Sequence, residues 1–180
     1  MERMLKKIVI ATGIYPPTPG GAATHAYRYR EHFNARDIEA PVITYGTSTA
    51  GVVGISMRIP FGLRHLIYMY CLWRISRSTR VIFALDALGA GIPALIVARL
   101  RGVPLVLRIG GDIVWERKAL AGRAVKPMRA WYEHGMHRPS FFGGLLFFLS
   151  RAVLVRAKLI VVPTALLADL YMQYYGVVSS

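Results

Sequence analysis

One cysteine, Cys71, stands in 180 residues, so neither a disulfide framework nor a thiolate metal cluster can form within the chain. Lying in an apolar helical run, it reads as a small core hydrophobe. Acidic residues are scarce as well: nine stand against 23 basic ones, for a net charge of +14. Arg makes up 18 of the 23. That balance favours partners carrying phosphate or carboxylate, which a guanidinium grips with two parallel hydrogen bonds. Nucleic acid would satisfy the charge alone, but no recognition helix or aromatic RNA-binding motif accompanies it, and no nucleic-acid partner is expected.

Long hydrophobic runs are missing too. The longest charge-free apolar stretch in the C-terminal half, 139–150, falls well short of the roughly 20 residues a bilayer crossing needs, though it could lie on a membrane. Lys6-Lys7 leads into a short strand with no small-residue cleavage site after it, so no signal peptide is read and a cytoplasmic location is expected. Neither G-x-G-x-x-G nor G-x-x-x-x-G-K-[ST] occurs, which argues against a dinucleotide dehydrogenase and a P-loop nucleotidase. His134 and His137 share a helical spacing, but no carboxylate or cysteine completes a set beside them, and no metal is expected.

What is present is a repeated strand and helix rhythm. Ile8-Val9-Ile10-Ala11 is a continuous apolar run, as expected of a parallel strand covered on both faces. A helix follows over 22–35, with Ala26, Tyr29 and Phe33 on one face and Arg28 turned away. Strands are expected over 41–45 and 52–59, the latter ended by Pro60, and a helix over 63–76. That helix is read with an apolar face of Leu66, Ile67, Tyr70 and Trp73, and with Arg64, Arg74, Arg77 and Arg80 on its solvated side and end. Then come a strand over 81–85, a helix over 89–101 closed by Gly102, and a strand over 103–109. Helical stretches over 118–134, interrupted by Pro127, and 141–156 precede a last strand over 159–162. Thr164 is read as the N-cap of a final helix over 165–175. Short links between alternating elements predict one α/β domain, 1–180, built on a doubly wound parallel sheet. A chain of this length buries roughly 70% of its unfolded surface in one core.

Ligands of such sheets bind beyond the carboxyl ends of the strands, near the point where strand order reverses. Three strand ends carry unusual chemistry: Gly20-Gly21 after the first, Asp86 after the fourth and Gly110-Gly111-Asp112 after the fifth. Glycine pairs permit positive φ and close approach of backbone to ligand, or simply a tight turn. Asp112 has two readings from the residues alone, a functional carboxylate or a cap on the segment that follows it.

Taken in succession, 8–25, 85–93, 106–116, 162–166 and 174–177 resemble the N-terminal domain of family 4 glycosyltransferases. The resemblance implies one half of a GT-B enzyme, whose two Rossmann-like domains face a cleft. A sugar passes there from a nucleotide diphosphate sugar to an acceptor, with retention of configuration and without metal. It places Gly20 and Gly21 beside the donor diphosphate. Asp112 falls near the reacting sugar as the candidate catalytic residue, where a carboxylate can stabilise oxocarbenium character or orient the acceptor hydroxyl. His25 becomes a candidate acceptor contact or a helix-packing histidine, and Asp86, Gly110 and Gly111 join the substrate-binding set. The family's donor domain, with its two glutamates separated by seven residues, has no counterpart in these residues. The resemblance therefore implies a chain inactive by itself unless a second chain supplies that domain.

Between Arg117 and Lys158 there are nine basic residues and one acid, interleaved with Phe141-Phe142 and Leu145-Leu146-Phe147-Phe148. A basic, apolar helical region can sit in a membrane interface or pack on a core with its charges solvated. Family members often act on lipid-linked acceptors. Peripheral contact with anionic lipid at the inner face of the cell membrane is therefore expected of an acceptor-binding half, and the alternative is a non-catalytic membrane- or partner-binding Rossmann module.

Overall fold

The computed structural model describes residues 7–121, 126–134 and 141–178, with only the backbone of Phe141 and Phe142. Its core is a six-stranded, all-parallel sheet in the order β3-β2-β1-β4-β5-β6. The strands are β1 (Ile8–Ala11), β2 (Val42–Tyr45), β3 (Val52–Ile55), β4 (Val81–Ala84), β5 (Leu105–Arg108) and β6 (Leu159–Val161). Strand order reverses between β1 and β4, whose register pairs Ile8 with Val81 and Ala11 with Ala84. This is a single Rossmann-like domain, as the alternating pattern predicts.

Side chains alternate across the sheet, and each face builds its own core. On one face Ile8, Ile10, Val42 and Phe83 pack against α1 (Gly21–Asn34), which supplies Ala26, Tyr29 and Phe33 as the sequence implies. Tyr29 meets the Phe83 ring edge-on at 5.0 Å. The opposite face, with Val9, Ala11, Ile43, Ile82, Ala84 and Leu107, carries the larger core. Its cover includes α2 (Phe61–Ile75), α3 (Gly91–Arg101), α6 (Phe141–Leu154) and α7 (Ala165–Leu170), the last running into a π-helical turn, Tyr171–Tyr175. Two short helices, α4 (Ile113–Leu120) and α5 (Met128–Glu133), fill the space between β5 and α6.

Helix α2 corrects the expected apolar face. Tyr68 and Leu72 are its buried residues, whereas Leu66, Tyr70 and Trp73 are exposed. The helix is apolar nearly all round, so periodicity alone does not select a side. The choice is made by the Tyr68 hydroxyl, which reaches the carbonyls of Thr12 (3.2 Å) and Ile43 (3.1 Å) at the ends of β1 and β2. Tyr68→Phe is expected to cost about 1–2 kcal/mol, because the buried Thr12 carbonyl loses its hydroxyl donor while the Ile43 carbonyl keeps only the Thr12 N–H, read as a lowered denaturant midpoint at unchanged slope. Arg64 also departs from expectation: it is half-buried and faces inward rather than lying on the solvated side.

β3 is shorter than predicted, because Pro60 caps α2 and the chain turns after Ile55. The six residues 46–51 between β2 and β3 bring the chain back to start a parallel neighbour. Parallel partners usually need a crossover of about a dozen residues or more. Here the short return folds over the free edge of β3: Thr49 exchanges two backbone hydrogen bonds with Val52, and the Ser48 hydroxyl serves both N–H and C=O of Gly54. The outer edge strand thus has its backbone groups paired by its own loop.

On the α1 side, β6 is left bare, with Leu159 47% and Val161 41% exposed. Within the basic stretch 117–158, α6 turns Val153 and Leu154 into the core and presents Leu145 and Phe148 outward. His137 and Pro139 lie outside the described residues. Among the described residues no helix is long and apolar enough to cross a membrane.

Candidate functional site

A cleft of about 710 Å³ opens over the carboxyl ends of β1, β4 and β5 and extends sideways over β2. Open α/β sheets bind ligands at this switch point, because the loops that leave neighbouring strands there diverge to opposite faces. The β1 exit contributes Gly13 and Ile14, the β4 exit Leu85 to Gly89, and the β5 exit Arg108 to Asp112. Helix α1 adds Gly21, Ala22 and His25, while α2 adds Phe61, Arg64 and His65.

Gly21 and His25 line the cleft, whereas Gly20, the exposed N-cap of α1, does not. At φ 145° Gly20 holds a conformation open only to glycine, and an added Cβ would sit 2.8 Å from Ile14 Cδ1. No side chain caps α1 and no acidic residue occupies its first turn, so its leading N–H groups and positive dipole end are uncompensated. Arg108, projecting to the α1 side from β5, stands near enough to His25 to lower its basicity, second to burial and ahead of Arg28. His25 also stacks on Tyr29 at 6.1 Å, so it is at once a packing residue and a lining one.

Asp86 is spoken for by the backbone. Its Oδ1 accepts from Ala90 N at 2.8 Å, and N–H groups of Gly89, Gly91 and Gly13 also turn toward it. Burial raises its pKa, and those N–H contacts pull the other way. The carboxylate therefore ties the β1 loop to the start of α3 and fills the anion position that α3 would otherwise offer.

Asp112 is 3% exposed and both of its oxygens are engaged. Oδ1 caps α4 by accepting from Trp115 N at 2.8 Å, and Oδ2 accepts from the Tyr175 hydroxyl at 2.5 Å. Tyr175 is linked in turn to the Tyr132 hydroxyl at 2.9 Å, and Tyr171 donates to the Gly111 carbonyl at 2.9 Å. Burial, then the nearby Asp112 charge, pushes the pKa of all three tyrosines above the ordinary phenol value. The π-helical turn thus anchors the glycine loop after β5 from below. Ser150, buried in the cleft floor, has an Oγ without a hydrogen-bond partner among the described residues.

Capping by Asp112 has a second effect: it sets the first turns of α4, which carry Glu116 into the cleft wall. Burial, then the Asp112 charge, raises the Glu116 pKa. Sequence reasoning passed over Glu116, Tyr45, His65 and Ser150, and it placed Arg64 on the wrong side. Tyr45 ends β2 and could have been found by the strand-end rule. For Glu116, the four-residue step from a capping Asp was the available signal. Arg64 and His65 become visible only once α2 is rotated by Tyr68.

Among the described residues no three His, Cys, Asp or Glu side chains gather as a metal set. Fold and cleft together define a Rossmann-like domain with a switch-point site of mixed charge, its cations at the two ends. The chain matches no model of a known protein family, and no curated protein sequence matches it.

Proposed function

We propose that the chain is the acceptor-binding half of a retaining glycosyltransferase that draws on a nucleotide diphosphate sugar. The observation that supports this most is the uncapped N-terminus of α1 opening into the switch-point cleft opposite Arg108. Exposed first-turn N–H groups beside a guanidinium are suited to a diphosphate. In this reading Gly21 and Arg108 meet the diphosphate, and Glu116 lies by the acceptor and the reacting sugar. The acceptor oxygen bonds to the anomeric carbon as the phosphate oxygen leaves, and the hydroxyl proton departs with the diphosphate. Asp112 positions Glu116 and the Gly110-Gly111 loop through its cap. A donor domain completes the site, and the bare face of β6 offers it a surface to cover.

NMR titration of the chain with octyl glycosides and with UDP- and GDP-hexoses tests the proposal. Glycosides should shift Gly21, His25 and Glu116, and nucleotide sugars should bind weakly through Arg108, losing roughly tenfold in Arg108→Ala. Absence of shifts at these residues with every ligand would defeat the reading. That outcome would favour the second one, a non-catalytic partner-binding module on the same fold, for which the exposed Leu159 and Val161 speak.

A further inference from the structure

The β2 end of the cleft holds a cation that forms no ion pair among the described residues. Arg64 lies in the first turns of α2, half-buried, with its guanidinium 4.9 Å from the Phe61 ring centroid and 5.8 Å from that of Tyr45. Its Nε–H is buried and has no acceptor among the described residues. Lys7 pairs with Glu39 and Arg129 with Glu133, both away from the cleft. Asp86 is the acidic group whose charge reaches this corner, acting on Tyr45 and His65, but its oxygens are occupied by backbone N–H groups. The first turn of α2 contains no acid either.

Beside Arg64, His65 is locked in orientation. The Tyr45 hydroxyl has one proton, and the Gly89 carbonyl 3.0 Å away can only accept it. When that proton goes to Gly89, the 2.5 Å contact between Tyr45 Oη and His65 Nδ1 is made by a proton on Nδ1. In the neutral ring this leaves Nε2 as an acceptor lone pair, and it has no partner among the described residues. Phe61, 70% exposed, meets the His65 ring edge-on at 4.4 Å and forms the lip of the cleft. Two aromatic rings thus fix a guanidinium and an imidazole side by side at a concave, otherwise apolar corner.

We propose that Tyr45, Phe61, Arg64 and His65 form an oxyanion subsite that receives a phosphomonoester carried by the acceptor. A phosphate accepts bidentately from the guanidinium, and a protonated phosphate oxygen can donate to His65 Nε2. Arg108 and Arg64 mark opposite ends of the cleft. The strands that carry Arg108 and Tyr45, β5 and β2, are three sheet positions apart, roughly 14 Å at the usual strand spacing, which leaves room for a sugar ring between two charged groups. Assigning the phosphate to the acceptor rests on the glycosyltransferase reading; the subsite itself does not, because it is tested without donor or transfer.

The probe is glucose 6-phosphate, titrated into the full chain while the arginine Nε–H NMR signals are followed. The Arg64 signal should move downfield, with glucose itself without effect. Arg64→Gln should weaken binding about tenfold or more while Arg64→Lys retains part of it, and a thermal melt of each variant checks folding. In parallel, flotation with phosphatidylcholine vesicles, plain or doped with phosphatidic acid, asks whether the phosphate is a lipid headgroup. Arg64-dependent capture by doped vesicles alone assigns it to lipid, and Arg64-dependent binding of the sugar phosphate assigns it to a soluble acceptor. The proposal is overturned if neither phosphate binds with Arg64 dependence, if glucuronate binds as well as glucose 6-phosphate, or if Arg108→Ala abolishes the binding while Arg64→Gln leaves it intact.

Discussion

Asp112→Ala is expected to lower the unfolding free energy by about 2–4 kcal/mol, chiefly because two separate partners lose the same carboxylate. Loss of the N-cap on α4 frees Trp115 N and costs about 1 kcal/mol. Loss of the acceptor for Tyr175 leaves a buried hydroxyl chain, Tyr175 to Tyr132, without its terminus, at about 1.5–3 kcal/mol for a bond to a charged group. Because the residues share one network, the two contributions need not add in full. Asp112→Asn should lose less, about 1 kcal/mol: its carbonyl can still cap α4, and its amide can donate to the Tyr175 oxygen once Tyr175 turns its own proton to Tyr132. Chemical unfolding of the three proteins at one pH measures this, and a wild-type midpoint for Asp112→Ala would refute the network. The result also decides how activity data must be read. A dead Asp112→Ala says little about chemistry if the protein is partly unfolded, whereas a stable Asp112→Asn without transfer would mean that the substrate uses the charge.

The competition between those two readings of Asp112 shows where the sequence is informative. The central strands β1, β2 and β4 were legible because each is a short apolar run covered on both faces, and the caps at Thr164 and Asp112 were legible because capping is local chemistry. Asp86 and Gly110-Gly111 were found by asking which strand ends carry unusual residues, a question that needs only the order of elements. Three things were not local. The rotation of α2 is fixed by Tyr68 bonding to β1 and β2, elements 56 and 25 residues away in the chain. Arg64 and His65 inherit their place in the cleft from that rotation. The network under Asp112 joins residues 63 and 43 positions apart, and its tyrosines carry no pattern that distinguishes them from ordinary core aromatics.

Gly91→Ala should be the most damaging single-methyl change in the cleft scaffold. A Cβ at Gly91 would lie 2.5 Å from the Asp86 carbonyl oxygen and 3.3 Å from Val153 Cγ1. The first neighbour is backbone at the end of β4 and cannot rotate aside, so the start of α3 must move away from the sheet. Overpacking of this kind costs about 1–3 kcal/mol and occasionally more, outweighing the helix propensity that alanine gains. Moving α3 also withdraws the N–H groups of 89–91 from the Asp86 carboxylate, leaving a buried charge with fewer donors. The loss should therefore sit at the upper end, about 3 kcal/mol, accompanied by faster hydrogen exchange at Ala90 N. Gly13→Ala and Gly89→Ala serve as internal controls, since their added Cβ atoms would meet only the Asp86 carboxylate oxygens, at 3.1 and 3.3 Å. A carboxylate can yield a few tenths of an ångström, and each control should cost about 1 kcal/mol or less. If all three variants lose the same stability, the close approach of α3 to β4 is not what holds Asp86 in place. Graded losses would instead show that this wall of the cleft is set by backbone packing, with the carboxylate fitted to it.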